Sequence, residues 1–161
     1  MSVALRHSPA LELNLVEYRD AIALEELRAL AEYLARNPSY LRQDTLNLIH
    51  PGAHFESVTP ADLDALFDYY RVLFAPLQFD MIRRAAWVCL SSHVEPLVAY
   101  WIDGRNMKKE MSSAVRSFTS MSDAGDWLVI SEAALDKARR GEGFTEIVAF
   151  DSKQAAAPLA R

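Results

Sequence analysis

Short runs of β-forming residues alternate with amphipathic helical segments along most of this chain. Leu11, Leu13 and Leu15 are separated by polar residues, and this period of two indicates a strand with one buried face. Residues 23–36 instead place leucines at helical spacing, and Pro38 ends the segment because proline disfavours helix in the residue before it. Strands that alternate with helices form βαβ units. The pattern therefore predicts an α/β fold with a mostly parallel sheet of four or five strands, packed by helices.

The remaining segments continue this alternation. Thr59 and Pro60 are typical of the N-cap and first position of a helix, and apolar side chains follow them at helical spacing. Ser92 begins a second capping pattern, and Gly104 predicts the end of that helix. Two shorter helices are predicted after residue 121 and after residue 130. Residues 3–5 predict a hairpin partner for the first strand, and further strands are predicted at residues 45–49, 85–90, 115–118 and 144–150.

Length and charge limit the classes of protein that this chain can represent. At 161 residues, 51% hydrophobic and 24% charged, it is long enough for one domain with its own core. We predict a single domain over residues 1–150 and a disordered Ala-rich tail over residues 151–161. The formal net charge of −5 argues against binding to nucleic acid, which usually requires a basic surface. The scattered basic pairs, Arg83 and Arg84 among them, are interpreted as solvated surface.

The cellular setting is predicted from what the sequence lacks. Cys89 is the single cysteine, so the chain cannot form an internal disulfide. The first residues lack the basic start and apolar run of a secretory signal. No stretch approaches the roughly 18 apolar residues that a membrane-spanning helix needs. These features predict a cytoplasmic protein without stable membrane insertion.

Motifs that would carry chemistry are weak. His50 and His54 are four residues apart, but the intervening proline and glycine predict a loop, and no third ligand has diagnostic spacing. Cys89 lies in an apolar run, where cysteine usually behaves as a small inert hydrophobe. We therefore predict no metal, no cofactor and no catalytic residue.

The topology nevertheless predicts where a binding site would lie. In open α/β sheets, ligands bind outside the carboxyl ends of the strands. Six polar residues follow two neighbouring predicted strands, so they are the candidate contacts for a ligand or partner. Their alternative role is the ordinary one of helix caps and turn residues. The six are His50, His54, Ser57, Ser91, Ser92 and His93.

Three stretches carry a resemblance to a known family. They read YRDAIALEEL at residues 18–27, RRAAWV at 83–88, and RSF at 116–118 followed by Ala124, Trp127 and Leu128. Over residues 15–128 their order and spacing resemble the SpoIIAA-like fold, which STAS domains share with uncharacterised bacterial relatives. The resemblance implies a non-catalytic regulatory or protein-interaction module. Ser57 comes late for the phosphorylatable serine of anti-sigma-factor antagonists, so a phosphorylation switch is not predicted.

Two further classes of function stay open beside the interaction module. One is a binding protein for a small-molecule or lipid-like ligand, and the other, ranked last, is an enzyme. A deep apolar cavity with convergent polar groups would favour ligand binding, whereas an exposed apolar patch would favour an interaction module. The protein partner is unidentified, and a homodimer stays open.

Overall fold

Six strands and five α-helices make up the described part of the chain. The computed structural model describes residues 2–55, 57–77, 83–107 and 113–151, so the predicted tail lies, except for Asp151, outside the described residues. The strands are β1 (Val3–Ser8), β2 (Leu13–Tyr18), β3 (Asp44–Ile49), β4 (Arg83–Cys89), β5 (Ser113–Phe118) and β6 (Thr145–Phe150). The helices are α1 (Leu24–Arg36), α2 (Pro60–Phe74), α3 (Glu95–Met107), α4 (Met121–Leu128) and α5 (Glu132–Arg139).

The strands form one mixed sheet in the order β5-β4-β3-β2-β1-β6. The α/β class is confirmed, but a mostly parallel sheet of four or five strands is wrong. Strands β2 to β5 run parallel to one another, whereas β1 is antiparallel to both of its neighbours. The predicted hairpin accounts for one of these pairings, with Leu5 opposite Val16. The other arises because β6 returns to the outer edge of β1, with Val3 opposite Phe150.

Helices cover both faces of the sheet. On one face, Val16 and Ile49 belong to a core cluster with residues of α1, α2 and α3, such as Leu30, Leu66 and Val98. On the other face, the core is formed with residues of α4 and α5. All six residues of β2 are consequently buried, although the sequence predicted only one buried face for this strand. The second cluster contains Leu13, Leu15, Leu46, Met121, Leu128 and Leu135.

Local sequence signals explain most helix ends. The Thr59 hydroxyl accepts a hydrogen bond from the Asp62 amide at 3.2 Å, and the Asp62 carboxylate accepts one from the Thr59 amide at 2.9 Å. This reciprocal pair satisfies two amides that a helix start leaves unbonded. The predicted end of α3 at Gly104 is wrong, because the helix continues through this glycine to Met107. None of the described helices is both long enough and apolar enough to cross a membrane.

Two helical glycines are expected to respond to alanine substitution in opposite directions. A Cβ on Gly125 in α4 would lie 3.0 Å or less from side-chain carbons of the buried Leu135, whereas a Cβ on Gly104 has no neighbour within 4 Å. Gly125→Ala should therefore lower the free energy of unfolding by about 1–3 kcal/mol through overpacking. Gly104→Ala should raise it by about 0.5–1 kcal/mol, since alanine favours helix. Urea unfolding of both variants measures this, and equal effects would contradict the close packing of α4 on α5.

Candidate functional site

A cavity of about 120 Å³ lies between the sheet and helices α1, α2 and α3. Its floor consists of side chains that alternate along β2, β3 and β4 and so point to the same face, such as Val16, Asn47 and Trp87. Its roof includes Leu30 from α1 and Leu66 from α2. Engineered core cavities of about 150 Å³ stay dry and admit benzene. The cavity is therefore of a size that suits one aromatic ring or a short alkyl chain.

Aromatic rings form much of the wall. The rings of Tyr18 and Trp87 stack with their centroids 5.6 Å apart, and both belong to the sheet. Tyr70 of α2 contacts Phe74 with a centroid distance of 5.2 Å and Trp101 of α3 with a distance of 5.4 Å. All five residues line the cavity. Such rings offer large apolar contact area, and Tyr and Trp add a polar tip.

A row of polar side chains interrupts the apolar floor. The Asn14 amide donates to the Tyr40 carbonyl at 2.6 Å and to the Thr45 hydroxyl at 3.3 Å. The Tyr18 hydroxyl donates to the Asn47 side-chain oxygen at 3.3 Å. Asn47 lines the cavity, and its side-chain NH₂ group is a hydrogen-bond donor that can serve an occupant of the cavity.

Two arginines form the cationic part of the lining. Arg83 is the first residue of β4, and Arg105 lies near the end of α3 with its guanidinium 5.8 Å from the ring centroids of Phe67 and Trp101. Burial, and then the charge of Arg105, lowers the pKa of Arg83 to about 10, and burial lowers the pKa of Arg105 to about 10. Both values lie well above neutral pH, so both guanidinium groups are charged at pH 7. No Asp or Glu belongs to the described lining.

The sequence assigned Arg83 to the solvated surface, and the structure shows that this is wrong. Consecutive strand residues point to opposite faces, so Arg83 lines the cavity while Arg84 forms an ion pair with Asp44 on the other face, at 2.7 Å. The sequence did contain one sign of this position. Arg83 lies two residues before the buried Ala85, so the two side chains point to the same face of the strand. Arg105 was missed in the same way. It follows Trp101 by four residues and falls on the apolar stripe of α3.

The two loops that were predicted to hold the site do meet at the carboxyl edge of the sheet. Ser91 is buried, and its hydroxyl donates to the Ala53 carbonyl at 2.7 Å, which ties the loop after β4 to the loop after β3. The backbone of His54 pairs with the segment before α1, since its amide donates to the Asp20 carbonyl at 2.8 Å. Ser57, Ser92 and His93 are exposed turn residues.

None of these six residues belongs to the described lining of the cavity. The loops do reach the cavity through apolar neighbours of these residues, Phe55, Val58 and Val94, but the contact of the six polar residues with a partner stays a prediction. Ser92 lies in the turn before α3, and the helix itself begins at Glu95. The predicted cap at Ser92 is therefore wrong, because the residue directly before the helix is Val94, whose amide donates to the Ser91 carbonyl at 3.2 Å.

His50 has a partner that sequence reasoning did not identify. Its Nε2 atom donates to the buried carboxylate of Glu17 at 2.7 Å. Arg19 and Arg6 form ion pairs with the same carboxylate at 2.6 Å and 3.2 Å. The hydrogen bond from His50 and the charges of the two arginines lower the pKa of Glu17 despite its burial. This group, which we call the Glu17 cluster, lies on the sheet face that α4 and α5 cover.

The described residues were also compared with the requirements of a metal site and of a reactive thiol. In the part of the chain that the structure describes, no three His, Cys, Asp or Glu residues are placed to hold a metal ion. The predicted absence of a metal site stays a prediction. Burial raises the pKa of the Cys89 thiol, whose sulfur donates to the Ser91 carbonyl at 3.2 Å. A thiol with a raised pKa is a poor nucleophile at neutral pH.

Comparison with known proteins found no match to a family model, to a curated protein or to a solved structure. The assignment to the SpoIIAA-like fold therefore stays a prediction that rests on the sequence. The geometry of the cavity is therefore the basis for a proposed function.

Proposed function

We propose that this protein binds a small, largely apolar molecule in the cavity and performs no chemistry on it. The observation that supports this most strongly is the cavity itself, about 120 Å³ between the sheet and helices α1, α2 and α3. Protein interiors are normally packed as densely as organic crystals. A bound ligand would restore the missing contacts.

The lining supports binding over catalysis. Among its described residues there is no Ser, Cys, His, Asp, Glu or Lys. Its weakly acidic groups are Tyr18 and Tyr70, and burial raises the pKa of Tyr18 well above its usual value and that of Tyr70 to about 12. Both phenols therefore stay protonated at neutral pH and cannot act as general bases. The protein-interaction role implied by the family resemblance stays a prediction about the polar residues of the carboxyl-edge loops, none of which belongs to the described lining.

Small apolar compounds are expected to bind and to stabilise the fold. The test is thermal unfolding and calorimetry with single-ring and six-carbon compounds, both neutral and charged. Saturating ligand at about 100 times its Kd should add about 2.7 kcal/mol to the free energy of unfolding. Ala85→Leu, on the cavity floor, should occupy the space and abolish binding. Ala114→Leu, at an exposed position of the neighbouring strand, is the matched control and should leave binding unchanged.

Two results would overturn the proposal. The first is the absence of saturable binding by any compound in the series. The second is binding that Ala85→Leu leaves unaltered, since this would place the compounds outside the cavity.

A further inference from the structure

The charged residues of the cavity lie at one end. Along β4, Arg83 comes first, Ala85 pairs with Thr45, and Trp87 pairs with Asn47. Arg83 and Trp87 are four residues apart, which is about 13 Å along a strand. Helix α3 begins after the carboxyl end of β4 and runs back over the sheet, so Arg105, near its end, returns to the amino edge where Arg83 lies.

The opposite end of the cavity is apolar. Leu27, Leu63 and Val94 lie at the first turns of α1 and α2 and just before α3, and all three helices begin near the carboxyl edge. The stacked pair of Tyr18 and Trp87 lies on the sheet beneath this end. The cavity thus has a cationic end at the amino edge and an aromatic and aliphatic end at the carboxyl edge.

We propose that the ligand is an organic oxyanion whose carboxylate, sulfonate or phosphate group is bound by Arg83 and Arg105. Its apolar body would lie along Trp87 towards the carboxyl edge, where the Asn47 amide can donate to a polar atom. The inference rests on the proposed function, because it names the class of molecule that the same cavity receives.

The placement of the two arginines supports an anion. Arg83 and Arg105 come from different elements and line the same cavity, so their positive charges act on the same space. The described lining supplies no carboxylate, and Asp44, whose charge acts on Arg83 from the next strand, is itself paired with Arg84 on the other face of the sheet. A guanidinium presents a planar fork of donors that matches an oxyanion in bidentate geometry. The rings of Phe67 and Trp101 beside Arg105 fix the position of its fork.

The cavity volume limits the apolar body. About 120 Å³ is slightly less than the roughly 150 Å³ of a core cavity that admits benzene. A single ring or a chain of about six carbons fits this space. The cavity is therefore suited to small aromatic or short aliphatic acids.

Acid and amide pairs of the same shape test the charge directly in the wild-type protein. The probes are benzoate and benzamide, phenylacetate and phenylacetamide, and hexanoate and hexanamide, each measured by isothermal titration calorimetry. At least one acid should bind about tenfold or more tightly than its amide, since hydrogen bonds to charged groups are stronger than neutral ones. Phenyl phosphate and inorganic phosphate distinguish the kind of oxyanion, and phenyl phosphate should bind more tightly than phosphate alone.

Variants of the two arginines assign the effect to the site. Arg83→Gln and Arg105→Gln should each weaken binding of the preferred acid about tenfold and leave the amide within about threefold. Arg116→Gln is the matched control. It removes an exposed arginine from the neighbouring strand on the opposite face of the sheet and should change neither affinity.

The outcomes separate this inference from the proposed function. If every amide binds as tightly as its acid, the inference is wrong while the proposal of an apolar ligand stands. If an acid is preferred but neither arginine variant alters that preference, the anion is bound elsewhere and the inference is wrong. If inorganic phosphate binds as tightly as phenyl phosphate, the cavity does not contact the apolar body and the inference is also wrong. If no compound of any pair binds, the proposed function fails and the inference fails with it.

Discussion

Phe67→Ala is expected to lower the free energy of unfolding by about 3–5 kcal/mol, the range for truncation of a large buried side chain. Phe67 is only 3% exposed and lies in the middle of α2. Its ring packs on Trp101 with a centroid distance of 5.6 Å, and the Arg105 guanidinium lies over it at 5.8 Å. The substitution removes apolar contacts and enlarges the space beside an existing cavity. Incomplete repacking is therefore expected to keep the cost near the upper part of the range.

A matched substitution on the same helix separates packing from helix propensity. Val72 is 73% exposed, so Val72→Ala loses little contact and should change stability by no more than about 0.5 kcal/mol. Urea unfolding monitored by tryptophan fluorescence and circular dichroism measures both variants. If Phe67→Ala costs no more than Val72→Ala, the packing of α2 against α3 in this structure is wrong.

Local structure was largely predictable because its signals are local. The cap formed by Thr59 with Asp62, the period of two along residues 145–150 and the leucine spacing of α1 depend on neighbouring residues only. They gave the type of nearly every described element. The end of α3 was missed because Gly104 is as readily a helical residue as a cap, and only the packing around it decides between the two.

The arrangement of the strands could not be predicted in the same way. The alternation along β6 indicates a strand but carries no information on which neighbour it pairs with. Its pairing with β1 joins residues such as Val3 and Phe150 that are far apart in sequence, and it makes the sheet mixed. The burial of both faces of β2 likewise depends on α4 and α5, which lie more than 100 residues later in the chain.

The candidate site shows the same division between local and distant information. The rule for open α/β sheets directed attention to loops at the carboxyl edge, and Ser91 and Ala53 do bring two of these loops together. The cavity lies instead under the helices, and its cationic end is at the amino edge. Arg83 and Arg105 come from different elements, so no sequence spacing could indicate that they line the same space. The local sign in the sequence was that Arg83 has the spacing of the buried residues on its strand.

The second large effect is expected at Glu17, whose carboxylate is buried among His50, Arg19 and Arg6. Glu17→Gln keeps the shape of the side chain but removes the charge that these groups contact. It should cost about 1–3 kcal/mol at pH 7, the range for buried polar groups left without their partner. The hydrogen bond from His50 comes first among the interactions that lower the pKa of Glu17, and the charges of Arg19 and Arg6 follow.

The direction in which the pKa of Glu17 shifts determines the pH range over which Glu17 stabilises the fold. Because the pKa of Glu17 is lower in the folded protein than its ordinary value of 4.5, the unfolded chain takes up the proton first as the pH falls. The stabilisation by Glu17 is therefore complete above that ordinary value and is lost as the pH falls through the lower pKa of the folded state. The difference in unfolding free energy between the wild type and Glu17→Gln should thus be largest at neutral pH and shrink steadily in acid.

Glu146→Gln provides the control for this window. Glu146 is an exposed glutamate on β6, opposite Arg6 in the sheet, and its substitution should give a stability curve parallel to that of the wild type. Urea unfolding at intervals between about pH 3 and pH 7 measures all three proteins, since the charge of a carboxylate changes across this interval. Convergence of wild type and Glu17→Gln in acid, with Glu146→Gln parallel throughout, identifies the Glu17 cluster as a determinant of acid stability. A Glu17→Gln curve that stays parallel to the wild type would show that the cluster does not hold this carboxylate ionised.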